Sequence, residues 1–197
     1  MYFAFLRMIK SSSALKAGVL TTKQMSHFHK KTYKENQQLI PYINGFLGAL
    51  EILNVDANHG QTYYVEEIER LQTYEKSIAK HLCDDNYKIT IEQIIDWKEQ
   101  ISETAKSFFG NMLHKVELTQ PCKDYAEKYG QTKAEIVNFD LLIDSYTSLM
   151  DELITERATI FEVFVDWSNG QFYECYHKDY LVDNDNGLFF IHFGTSD

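Results

Sequence analysis

Residues 158–194 read ATIFEVFVDWSNGQFYECYHKDYLVDNDNGLFFIHFG, and the reading of this stretch decides how the chain divides. ATIFEVFVDW is β-branched and aromatic, with apolar residues at alternate positions, the period of a strand. Asn169-Gly170 is a favoured pair for a tight hairpin turn, QFYECYHKDYLV follows as a second strand, and Asn186-Gly187 offers another turn before LFFIHFG. Phe161, Val163, Val165 and Trp167 share one face, as do Phe189, Ile191 and Phe193. The expectation is a three-stranded antiparallel meander that lays this face on whatever precedes it.

What precedes it has a helical period. Thr132 and Glu135 form a capping-box pair, and Phe139, Ile143, Tyr146, Met150 and Leu153 then recur at the spacing of an inward helix seam. Thr90 and Gln93 form another such pair, ahead of Ile94, Ile101, Ala105, Phe108 and Met112. Thr62 caps a further helix with Val65, Ile68, Leu71, Ile78 and Leu82 as its stripe. Leu39, Ile43, Phe46, Leu47, Leu50 and Leu53 fall on one face of another, near Pro41, and Pro121 opens a short turn of helix ending at Gly130. The fold expected is mainly α with a small β element. An antiparallel bundle of four to five helices over residues 35–157 is followed by the meander over 158–194, packed on it.

Charge divides the chain differently. The first acidic residue is Glu35, so residues 1–34 carry the seven bases Arg7, Lys10, Lys16, Lys23, Lys30, Lys31 and Lys34 and no acid. The remainder holds all 29 acids against 19 − 7 = 12 bases, or −17. Residues 1–34 are expected to be a basic, helical N-terminal arm, and 35–197 a single acidic domain. The arm is acid-free and Ser-containing, which fits a transit segment, but it is rich in Lys rather than Arg. A secretory signal fits less well, since MYFAFL is a short apolar stretch with no positive region ahead of it, and an ordinary helical arm is the third reading. Specific nucleic-acid binding by the body is disfavoured, because phosphate affinity comes from accumulated cations. No apolar stretch reaches the ~20 residues of a membrane-spanning helix. Cys83, Cys122 and Cys175 are isolated and odd in number, which points to a reducing compartment rather than a disulfide framework.

No reaction is dictated by motif. Glu-x-x-His spacing, allowing Asp, occurs as Asp56/His59 and Glu174/His177, neither on an inward helix face, and His27 and His29 would diverge on a helix. No metal ligand set, cofactor or catalytic residue is therefore assigned. VDNDNG, residues 182–187, lacks the leading Asp of a calcium loop. Two features stand out. Glu75 falls near the centre of the stripe Ile68, Leu71, Ile78 and Leu82, where a carboxylate would have to be paired or protonated, making it a candidate buried polar site. Asp140, Asp144 and Asp151 line one flank of the last helix, a candidate docking face for a basic partner or for the chain's own basic arm.

The leading expectation is a non-enzymatic protein-binding domain, in one version an inhibitor or immunity-type protein masking a basic partner. The alternative is a ligand-binding protein or enzyme with an interior polar site around Glu75. A second alternative is a peripheral membrane or structural protein using the basic arm. The expected location is cytoplasmic, or an organelle if residues 1–34 are a transit segment. No pattern fixes the number of subunits.

Overall fold

The computed structural model describes residues 36–54, 60–110, 113–114, 116–167 and 173–196, with the side chains of residues 36–37 also left out. The basic arm, the fragments at His27, His29, Asp56 and His59, Met112 and the Asn169-Gly170 turn lie outside the described residues.

The expected bundle followed by a meander is overturned. The elements in chain order are α1 (Asn36–Asn54), β1 (Gly60–Glu67), α2 (Tyr74–Leu82), β2 (Lys88–Ile94), α3 (Trp97–Phe109), α4 (Gln120–Tyr129), α5 (Lys133–Ile136), α6 (Phe139–Leu153), β3 (Thr159–Asp166), β4 (Tyr176–Asn184) and β5 (Gly187–Ser196). The strands form one five-stranded sheet in the order β1-β5-β4-β3-β2, every neighbouring pair antiparallel. The three C-terminal strands are thus the middle of a sheet whose edges come from residues read as helix.

Local pattern explains both misreadings. In β1, Tyr63 and Val65 are buried on one face while Tyr64 packs on the other, so a stretch consistent with one helical turn is used at period two. The stripe from Val65 to Leu82 belongs to a strand, a turn and then a helix. α2 begins only at Thr73, whose side chain accepts a bond from Lys76 N at 3.3 Å, and it ends at Cys83 in the left-handed region. In β2, Ile89 and Ile91 alternate with Lys88, Thr90 and Glu92, so Thr90 and Gln93 are strand residues, and α3 starts at Trp97. By contrast, both bonds of the Thr132–Glu135 capping box form. α1 runs through Pro41, close enough to its start that one helical bond near the N-terminus is forfeited.

The sheet is covered on both faces. One face presents Tyr63, Val65, Ile160, Tyr180, Val182, Ile191 and Phe193 to the inward residues of α1, α3 and α6, among them Ile43, Leu47, Ile101, Phe109, Ile143, Tyr146 and Met150. The other presents Val163, Val165, Leu181, Leu188 and Phe190 to Ile68 and to Ile78 of α2. β4 and β5 therefore read as nearly continuous apolar runs, as strands do when neither face is wet. Each fully buried Leu, Ile or Phe contributes about 1.5–3 kcal/mol.

Two devices fix the ends of this sheet. At the β4–β5 hairpin, Asn184 pairs with Gly187, so the turn is Asp185-Asn186, one residue earlier than expected. Asn184 Oδ1 accepts bonds from Asn186 N and Gly187 N, and its Nδ2 donates to Leu153 O at 2.8 Å, satisfying a carbonyl at the end of α6. At the β1 edge, Asn44 of α1 accepts from Val65 N and donates to Val65 O, each at 2.8 Å, while Glu51 accepts from Tyr63 N. That edge's backbone is occupied by side chains of the helix beside it.

Candidate functional site

Alternation along β4 and β5 places Asp179 and His192 on the α2 side of the sheet, at directly opposed positions. Among the apolar residues of that side they are polar intruders, with Asp179 at 0% and His192 at 2% exposure. A buried carboxylate persists only where donors compensate it. Here His192 Nδ1 lies 2.7 Å from Asp179 Oδ1, and the Tyr173 hydroxyl donates to Asp179 Oδ2 at 2.8 Å. An ionised Asp179 accepts from a proton on Nδ1, and that bond fixes the orientation of the ring.

Nε2 faces Glu174, whose Oε1 is 3.9 Å away. The other oxygen, Oε2, is buried and has no hydrogen-bond partner among the described residues. Burial raises the Glu174 carboxyl above its ordinary value, with nearby His192 opposing the rise and Asp179 adding to it. Glycine at position 194 makes this meeting possible: a Cβ there would stand 2.5 Å from His192 Nε2 and 3.0 Å from Glu174 Cδ.

Around this centre the aromatic rings close in. Tyr64 of β1 lies over His192 at 4.9 Å between centroids, and its hydroxyl is 3.3 Å from Nε2 of His81 on α2. His81 Nδ1 is 3.9 Å from Glu66. His177 stands edge-on to Tyr173 at 4.7 Å. Burial lowers both His81 and His177, so each favours the neutral ring, and it raises the Tyr64 and Tyr173 hydroxyls.

A carboxylate holding an imidazole through Nδ1 is the arrangement that prepares Nε2 to take a proton. Here that nitrogen is shut in by Glu174, Gly194 and Tyr64, and the His192 side chain is 3% exposed. Among the described residues, no group of three or more His, Cys, Asp and Glu side chains is placed to hold a metal ion.

The open feature lies elsewhere on the same side of the sheet. A groove of about 760 Å³ runs between α2 and β2, with Leu71, Ala79, Tyr87 and Ile89 giving its apolar wall and Glu75, Lys76, Lys80 and Asp85 its polar one. Glu75 is exposed at this groove, not buried, because α2 begins only at Tyr74 and the expected flanking residues Ile68 and Leu71 are not part of its helix. Lys98 pairs with Asp151 at 2.5 Å. Asp140, Asp144 and Asp151 are all exposed on α6. Cys83 and Cys175 are exposed.

The sequence does contain the signal for the buried cluster. A His within LFFIHF, on a strand whose two faces are both apolar, cannot reach water on either side. Glu174/His177 has the spacing of a metal-ligand pair, whereas the carboxylate's neighbour is His192, which the β4–β5 register supplies.

No family model matches the chain, and no curated protein matches it. Among solved structures, the crystal structure of citrus MAF1 is similar, at 12% sequence identity over 80% of this chain and 98% of that one, with a TM-score of 0.48.

Proposed function

We propose that this chain is a non-enzymatic protein-binding domain that holds a basic protein through an acidic helical surface. The observation that carries the reading is on α6. Phe139, Ile143, Tyr146 and Met150 bury one face of the helix, while Asp140 and Asp144 stand exposed on the other, one turn apart. Like charges at this spacing destabilise a helix by about 0.2–0.5 kcal/mol. Glu99 and Glu103, both exposed, repeat the spacing on α3, which packs beside α6. A fold that retains two self-repelling pairs on neighbouring helices is suited to a partner that brings the cations. Asp151 is already matched by Lys98, which moves the centre of this surface toward Asp140 and Asp144.

The sealed imidazole supports binding over catalysis, since a proton acceptor without an approach for substrate serves the fold. Among the described residues no helix is long and apolar enough to cross a membrane. A cytoplasmic location belongs to the same proposal and rests on the three free cysteines.

The test is capture from native lysate at low and high salt, with the intact chain beside the Asp140→Lys/Asp144→Lys variant. A partner held at low salt, released at high salt and absent from the variant supports the reading. A partner retained equally by the variant removes it.

A further inference from the structure

The two edges of the sheet are finished differently. Asn44 and Glu51 engage outward backbone groups of Tyr63 and Val65 in the middle of β1. β2 pairs with β3, and among the described residues nothing bonds the backbone of Lys88–Ile94 on the other side. An open edge is a template for another strand, and folds without a use for one blunt it.

We infer that β2 pairs antiparallel with β2 of a second copy of this chain, about a two-fold axis at Thr90, making one continuous sheet across the dimer. The sequence Lys88-Ile89-Thr90-Ile91-Glu92 is self-complementary in that register. Lys88 opposes Glu92 twice, Ile89 opposes Ile91 twice, and Thr90 meets its own copy. Moving the axis by one residue, to Ile91, sets Ile89 against Gln93 and Lys88 against Ile94, so charge and hydropathy select the same alignment.

The neighbouring strand supplies the reason for the charges. Within one copy Glu92 is opposite Glu162, a like-charge pair, and Glu162 is engaged by Lys178. Glu92 is exposed without an ion-pair partner among the described residues, and Lys88 of the second copy would stand opposite it. On the other face Ile89 and Ile91 are half-buried and in register with Val165 and Val163. Pairing extends that apolar row through both copies. The surface is separate from the acidic helices, so this inference and the proposed function stand or fall apart.

The test is sedimentation of the intact chain over a concentration series. A concentration-dependent dimer is expected, with Lys88→Glu and Glu92→Lys each weakening it by about tenfold. An equimolar mixture of the two variants should dimerise again, because every opposed pair in the mixed dimer is then of opposite sign. Thr90→Cys, in a chain with Cys83, Cys122 and Cys175 replaced by serine, should cross-link to itself on mild oxidation, and this arm does not depend on the charge variants folding. A monomer at every concentration with no cross-link overturns the inference, as does a dimer indifferent to both charge variants. Either result leaves the edge to the chain's own residues or to an extended segment of another protein.

Discussion

His192 and Asp179 face each other across β5 and β4, with Nδ1 and Oδ1 2.7 Å apart and both side chains withdrawn from water. Breaking such a pair leaves an uncompensated group in the interior, which costs about 3–5 kcal/mol, whereas replacing both partners with apolar residues is often neutral. His192→Ala is expected to lose stability on that scale in urea unfolding. Asp179→Leu/His192→Leu should recover most of it, since Leu181 and Phe190 already surround the site. A double variant no better than the single one would show that the pair is needed for more than its own neutralisation.

Acid should loosen the α2 side of the sheet through its histidines. Burial holds His81 and His177 below the ordinary 6.5. A depressed value means that the folded state resists protonation, so their contribution is full above 6.5 and is lost as pH falls through the lower folded values. Thermal unfolding from pH 7.5 down to 5 should show a falling Tm that flattens in His81→Gln/His177→Gln. An unchanged slope in that variant would place the acid sensitivity elsewhere.

Glu174 works in the opposite sense. Its carboxyl is raised above 4.5, so its contribution is full below 4.5 and is lost as pH rises through the raised folded value. Glu174→Gln keeps the shape and removes the charge, and near neutral pH it is expected to raise Tm. A lowered Tm at pH 7 would mean that attraction to His192 outweighs the burial of the charge.

Gly194→Ala should be destabilising by about 1–3 kcal/mol, the usual range for overpacking. The added methyl would meet His192 Nε2 at 2.5 Å inside a strand paired on both sides. Denaturant titration measures it, and a midpoint equal to the parent's would show that the imidazole can move aside.

What the sequence made legible, and what it hid, follows from the range of the interactions. α6 was readable because Phe139, Ile143, Tyr146 and Met150 carry the helical period on one continuous segment, and the Thr132–Glu135 cap is complete within four residues. β1 and β2 were hidden because their partners are remote: Val65 pairs with Ile191, and Ile91 with Val163. Neither segment alone is long enough for period two to prevail over a helical reading. The buried cluster was hidden for the same reason, since only the β4–β5 register brings Asp179 to His192. Glu75 misled because the stripe that seemed to enclose it is not one helix.

Asn44→Ala is expected to do two things at once. It removes two bonds to Val65 and leaves that residue's backbone polar groups unmet, a loss of about 1–3 kcal/mol. It also uncovers part of the β1 edge, so light scattering after brief warming should rise faster than in the parent chain. Equal scattering at matched loss of stability would show that Asn44 serves packing alone.

Asn44 and Glu51 thereby give the sheet a direction. A slab with two bare margins can be extended from either side, and each newcomer brings a fresh margin for the next, which is how fibres begin. With Tyr63 and Val65 in the middle of β1 engaged from within, a chain that joins at β2 brings a blunted margin rather than a fresh one. Assembly at that margin ends at a pair, and the helix that closes the far side is what separates a countable complex from an endless one.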